Sequence, residues 1–407
     1  MPPTALDGFV RTAPREFAAG WVPGQVAAMD PLAKAIAPRA ASSPDRPVVA
    51  LEAALLPALR DPPCVIGFSG GRDSSALLAV AVALARREGL ELPVAYTKRY
   101  PGIPEADESQ WQELVVRWVG LESWEQQDFT DELDLLGPEA QRSVRQHGAL
   151  WPATLHNRAS TLAVARGGWY VDGEGGDEIL GPVRATPLAR SLAARRLGGR
   201  RHGRTVARAL TPAPITARVL AHRRRHEPTD RVWLQPEVAD WYERTALEDE
   251  VRRPLRYAAA LQHVARRRAV QVAMHNLDVM GRLHDVRYLH PLYDPSFLSS
   301  LGRLGGRLGF TSRAAAMRAV FGELLPEAVH ARRDKAVFNA AFVGPQARDF
   351  LDQRDGGGVD QALVDTAVLG EMWSSSSVHA GTFQLLHAAW LAERGTQERS
   401  DGSGKVT

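Results

Sequence analysis

The stretch PCVIGFSGGRDSSALLAVAVALARREG, residues 63–89, decides the fold. Its first six residues form an apolar run with the length of a buried strand. From Ser74 onward the residues are those of a helix, closed by Gly89. Between the two lies Ser69-Gly70-Gly71-Arg72-Asp73-Ser74-Ser75. Two adjacent glycines let a ligand come close to the backbone, and the N–H groups of the turn and helix N-terminus favour an anion. Ser69, Ser74 and Ser75 add hydroxyl donors, so a phosphate fits the loop. An aspartate in a phosphate cradle is repulsive unless a divalent cation lies between them, so Asp73 reads as a magnesium ligand. The loop lacks the Gly-Lys-Ser/Thr ending of a Walker A sequence.

Reading outward, strands and helices alternate: LPVAYTK (92–98) as strand, ESQWQELVVRWVG (108–120) as helix and GGWYVDG (167–173) as strand. That alternation predicts an α/β fold, a doubly wound parallel sheet covered by helices. Residues 1–50, rich in Pro and Ala without sustained periodicity, read as an N-terminal extension, and 51–183 as the nucleotide-binding α/β domain. Residues 184–230 read as an Arg-rich insertion or linker and 231–394 as a mainly helical region. The polar 395–407 reads as a disordered tail. Trp111, Leu114, Val115 and Trp118 fall at helical spacing and read as core rather than as a ligand cage.

A second glycine-rich turn, Asp172-Gly173-Glu174-Gly175-Gly176-Asp177-Glu178, follows the last of these strands and holds four carboxylates in seven residues. At the end of a later strand of the same sheet, it faces the first loop across the crevice of a doubly wound fold. There the glycines, Gly173 among them, permit close approach of a nucleotide, and the turn can supply a second metal carboxylate.

Composition narrows the field. The 407 residues are 44% hydrophobic and 24% charged, an ordinary globular balance with room for a sizeable core. Cys64 alone offers neither an intramolecular disulfide nor a cysteine zinc site, so a cytoplasmic location is expected. The longest apolar run, 76–85, is well short of the roughly 20 residues that span a bilayer. The opening MPPTALDGFV has no basic stretch leading into an apolar core, so neither a membrane partner nor a secretory signal is expected. Charge is uneven: residues 184–233 carry 13 Arg against Glu227 and Asp230, in a chain whose net charge is only +3. This stretch is a solvated linker or a surface for an anionic partner, and the lack of interleaved aromatics weighs against nucleic acid. His275, His284 and His290 lack a His-Glu-x-x-His arrangement, and His156 and Asn157 face either substrate or core.

SGGRDSS together with DGEGGDEILG resembles the synthetase domain of the asparagine synthetase family, which includes β-lactam synthetases and lasso-peptide cyclases among the PP-loop ATP pyrophosphatases. DVRYLHPLYD (285–294) is similar to the family's Glu/Asp-x-Arg…Pro-x-x-Asp segment with two extra residues. LLPEAVHARRDKAVF (324–338) is similar to its Leu-Pro…Arg-x-Lys-x-x-Phe segment, so the resemblance runs from about 51 to 342. It implies that a substrate carboxylate attacks the α-phosphate of ATP, giving an acyl-adenylate and pyrophosphate, and that an amine then captures the acyl group. By this resemblance Ser69, Gly70, Gly71 and Ser74 hold the phosphates, and Asp73 and Asp177 bind Mg2+. Lys335 offsets charge on the leaving pyrophosphate and the tetrahedral intermediate, and Glu174 takes a proton from the amine.

Departures from the family pattern refine what it implies. β-Lactam synthetases carry Tyr where this chain has Glu174, which counts against that branch. Arg72 stands where the loop usually has an apolar residue, and the stretch near Arg313 and Arg318 fits the family's Lys…Leu-Arg segment only with a one-residue shift. Asparagine synthetases make ammonia in a glutaminase domain with an N-terminal Cys, whereas this chain begins Met-Pro-Pro and reaches its phosphate loop at Ser69. The amine is therefore expected from a substrate, from free ammonia or from a separate amine-delivering protein. The acid is a small molecule or a peptide, the latter in lasso-type macrolactam formation with a leader peptide or partner protein. Two other classes stay open. One is a tRNA-modifying PP-loop enzyme, against which the lone cysteine and DGEGGDE weigh. The other is a non-catalytic nucleotide-binding protein, against which the presence of Asp73, Asp177, Glu174 and Lys335 weighs.

Overall fold

Five strands form one all-parallel sheet: β1 (Cys64–Gly67), β2 (Val94–Arg99), β3 (Glu125–Asp128), β4 (Trp169–Val171) and β5 (Arg287–Leu289), in the order β3-β2-β1-β4-β5. The computed structural model describes residues 8–27, 30, 32, 45–122, 124–194, 206–207, 211, 213–224, 229–332, 339–354, 356–375 and 378–403. Lys335 and much of the Arg-rich stretch lie outside these residues. The chain winds from β1 out to β3, then crosses back to lay β4 and β5 on the other side of β1. The order thus reverses between β1 and β4, and the expected doubly wound sheet is present. Val65 pairs with Val94 on one side and with Tyr170 on the other, so β1 and β4 end level with each other.

Side-chain alternation explains why β1 reads as a continuous apolar run. Cys64, Ile66 and Phe68 join a core with Leu51, Leu55 and Leu77 on one face, completed by Tyr257, Leu261, Phe297 and Phe321 from far along the chain. Val65 points the other way, with Tyr96, Tyr170 and Tyr288, onto Leu277, Val279 and Met280 of the helix Arg268–Leu283. Both faces are covered, which is the normal condition of a parallel sheet. Cys64 is a small buried residue, and burial pushes its thiol up to about 12. β5 comes from within 231–394, the stretch expected to be mainly helical.

A third core joins both ends of the chain. Ala18 and Ala19 of the N-terminal segment pack with Trp233, Trp373, Leu386 and Trp390. The Trp233 indole donates to the Ala18 carbonyl at 2.9 Å, and the Gln384 amide donates to the Phe17 carbonyl at 2.8 Å. The last helix runs Phe383–Ser403, past Arg394, where the sequence suggested a disordered tail. The residues after Arg394 contain no proline, and a helix that is already nucleated extends at little cost. Trp118 also departs from the core reading: it is 54% exposed, with its indole donating to the Leu324 carbonyl at 3.0 Å, while Val115 is buried. Among the described residues no helix is long and apolar enough to cross a membrane.

Trp233 is fully buried and holds the N-terminal segment through its indole. Trp233→Ala is therefore expected to cost about 3–5 kcal/mol in a denaturant titration. It should also speed tryptic cleavage after Arg15; unchanged stability and protection would contradict this packing.

Candidate active site

Where the strand order reverses, the loops leaving β1 and β4 face each other. Gly71 caps the helix Arg72–Glu88. The loop before it folds around its own hydroxyls: the Ser69 amide donates to Ser74 Oγ at 3.2 Å, the two hydroxyls lie 3.1 Å apart, and Ser74 Oγ donates to the Gly71 carbonyl at 3.2 Å. Gly70 has φ +83°, and a side chain there would strike Gln112. Ser69, Gly71, Asp73, Ser74, Gly173, Glu174 and Asp177 line one cleft of about 320 Å³. Ser75 does not. It is fully buried within the helix, and its hydroxyl has no hydrogen-bond partner among the described residues.

The acidic turn fits against Asp73. Gly176 lies so close that any Cβ would collide with the Asp73 carboxylate, which gives this glycine a packing reason. Asp73 Oδ1 is buried without a hydrogen-bond partner, and Oδ2 accepts from Arg313, which also donates to Asp177. Burial raises the Asp73 pKa from the ordinary aspartate range, and Arg313 opposes that rise. Asp73 and Asp177 therefore do converge as expected, but on a guanidinium that the motif did not announce.

Arg332, from the segment after helix Glu327–Ala331, braces the phosphate loop from outside. It donates to the Gly70 carbonyl at 3.1 Å, pairs with Glu108 at 2.7 Å through one nitrogen and more closely through the other, and lies over the Trp111 ring at 4.8 Å. Both members of the pair are almost fully buried, with side chains 4% and 5% exposed. Arg72 donates to the Arg332 carbonyl at 2.9 Å, so its departure from the usual apolar residue has a structural use.

Beside the cleft, Glu174 lines a second cavity of about 400 Å³ together with Lys98, Tyr100, Asn157, Arg158 and Tyr170. Glu174 is an exposed residue that borders both cavities. Burial raises its pKa, the Asp172 charge adds to that, and Arg158 and His290 oppose it. Asp172 accepts from the Glu174 amide at 3.2 Å and from His290 Nδ1 at 3.0 Å. Burial disfavours the imidazolium, yet Asp172 and Asp278 outweigh it and push His290 up to about 10. Lys98 is pushed down to about 7 by burial and then by the nearby Arg158. Neither Lys98 nor Arg158 has an ion pair with a described residue. The Asn157 amide donates to the Glu132 and Asp134 carbonyls at 2.9 and 3.0 Å, while its Oδ1 is buried without a partner. His156 is a core residue, bonded to Ser143 Oγ at 2.8 Å. Asp285 and Arg287 are not brought to the cleft: Arg287 begins β5 and pairs with Asp61, at the opposite end of the sheet.

The asparagine synthase family model matches residues 50–393, and the chain belongs to that family. No curated protein matches the chain. Family membership makes it an ATP-dependent ligase that forms amide bonds. Among the described residues no group of three or more His, Cys, Asp or Glu forms a metal cage. Mg2+ asks for less, since it is commonly held by one or two carboxylates with substrate phosphates and water. The unpartnered Asp73 Oδ1 and the Asp177 carboxylate beside a phosphate loop are a donor set of that kind.

Glu108→Gln removes the carboxylate charge that pairs with the buried Arg332 guanidinium. A loss of about 3–5 kcal/mol is expected in urea unfolding. A variant as stable as the parent would show that the buried pair does not brace the loop.

Proposed function

We propose that the chain is an AMP-forming ligase. On this reading a carboxylate oxygen of the acid attacks the α-phosphorus of ATP, the bond to the pyrophosphate oxygen breaks, and an amine displaces AMP from the acyl-adenylate to give an amide. The observation that carries this reading is the meeting of Asp73 and Asp177 at the reversal point, with Glu174 at the edge of the adjoining cationic cavity. Mg2+, held by Asp73 and Asp177, would offset the charge of the triphosphate. Ser69, Ser74 and the Gly71 amide receive the phosphates, in a loop that Arg332 keeps in one shape. Lys98 and Arg158 draw the acid into the cavity of about 400 Å³. Glu174, with its raised pKa, takes the proton from the attacking amine. Lys335, through its match to the family lysine, neutralises the departing pyrophosphate. The acid is a small natural-product precursor or the carboxyl-bearing part of a peptide closed to a macrolactam. The amine comes from the substrate, from ammonia or from a partner protein, and the reaction runs in the cytoplasm.

Asp73→Ala and Asp177→Ala are each expected to abolish AMP release while leaving the fold intact; full turnover in either variant would overturn the metal reading. Glu174→Gln is expected to retain pyrophosphate exchange into ATP and lose amide formation. In the parent, amide formation should fall as the pH drops through a pKa above the ordinary glutamate value of about 4.3, because the protonated carboxyl cannot accept the amine proton. Lys98 loses its charge as pH rises through about 7, so the KM for the acid should rise above that pH. Lys98→Arg, which stays charged, should remove that rise; an unchanged profile would mean that Lys98 does not meet the acid.

A further inference from the structure

The two carboxylates assigned to Mg2+ already hold a cation. Arg313 opens the helix Arg313–Phe321, whose first turn is fixed by the Ser312 hydroxyl accepting from the Ala315 amide at 3.1 Å. One guanidinium nitrogen donates to Asp177 and another to Asp73, and the side chain is only 14% exposed. The planar fork spans both carboxylates at once, which a lysine ammonium could not do with the same fixed geometry. Mg2+ requires its oxygen ligands at about 2.0–2.1 Å, a space that a guanidinium in contact with the same oxygens fills. The two cations compete for one place. A guanidinium fork suits phosphate as well as it suits carboxylate, and the phosphate loop lies in the same cleft.

We propose that Arg313 is a displaceable counter-ion. It joins Asp73 to Asp177 in the nucleotide-free protein, keeps free divalent metal out, and transfers to the triphosphate when ATP arrives, which releases the carboxylates to the metal. This rests on the nucleotide reading of the cleft given above. It predicts that metal binds with the nucleotide or after it, and only weakly before it. The Arg313 contact thus links the helix Arg313–Phe321 to the loading of the site.

The test uses Mn2+ as the probe, with free Mn2+ counted by electron paramagnetic resonance in the nucleotide-free full chain. ATP binding without metal is measured separately, and no turnover is required. Arg313→Gln is expected to tighten Mn2+ binding about tenfold and to weaken metal-free ATP binding about tenfold, the scale of one charge-assisted hydrogen bond gained or lost. Adding Asp177→Asn should erase the gain in Mn2+ affinity. Equal Mn2+ affinity in parent and Arg313→Gln, or a gain that survives Asp177→Asn, would overturn the proposal. Should Arg313→Gln fail to fold, Arg313→Lys gives the same two readouts with smaller shifts in the same directions, and no shift would again overturn it. A parent protein that binds no ATP at all, with or without metal, would instead bring down the nucleotide reading on which this rests.

Discussion

Two carboxylates have to be held side by side next to a phosphate loop, and the cleft is built around that electrostatic demand. Asp73 and Asp177 repel each other and repel any phosphate, so they persist only with a cation between them. The sheet brings them together by ending β1 and β4 level with one another. Gly176 removes the Cβ that would keep the turns apart, and Arg313 supplies positive charge between the two carboxylates. None of these devices works alone. A level register without the glycine would separate the carboxylates, and close packing without a cation would leave buried charge uncompensated.

The same cleft is stabilised from a distance. Arg332 reaches the Gly70 carbonyl from 262 residues away along the chain, and its buried pair with Glu108 ties that reach to the start of the helix Ser109–Val119. Arg72 returns a hydrogen bond to the Arg332 backbone. The phosphate loop is therefore clamped by Arg332, a residue far from it in the chain. On the far side, His290 and Asp172 form a second charged pair that fixes the acidic turn beside Glu174. A loop held in this way suits a reaction whose barrier is lowered mainly by positioning and fixed charge.

How much of this could be read beforehand follows from locality. The loop 69–75 and the turn 172–178 declare themselves because their chemistry is written in consecutive residues, glycines for approach and carboxylates for a cation. The apolar runs of β1, β2 and β4 are legible because both faces of the inner sheet are buried. β3 was not legible: Glu-Gln-Gln-Asp at the sheet edge carries no apolar pattern. β5, three residues within a helical stretch, gives too short a signal. Arg332 and His290 lie inside the segments 324–338 and 285–294 that resemble the family, and Arg313 lies near its Lys…Leu-Arg stretch, but what these side chains and Glu108 do shows only when tertiary contacts bring them to the cleft. Ser75 belongs to the same run, yet its burial within the helix could not be read from the motif.

On the proposed function, nucleotide and metal bind together at the β1/β4 reversal point. Hydrogen–deuterium exchange of the full chain, with and without ATP and Mg2+, tests it most directly. New protection is expected, concentrated in 67–75 and 171–178, with a smaller effect near Arg313 and Arg332. Protection elsewhere with these two loops unchanged would contradict it.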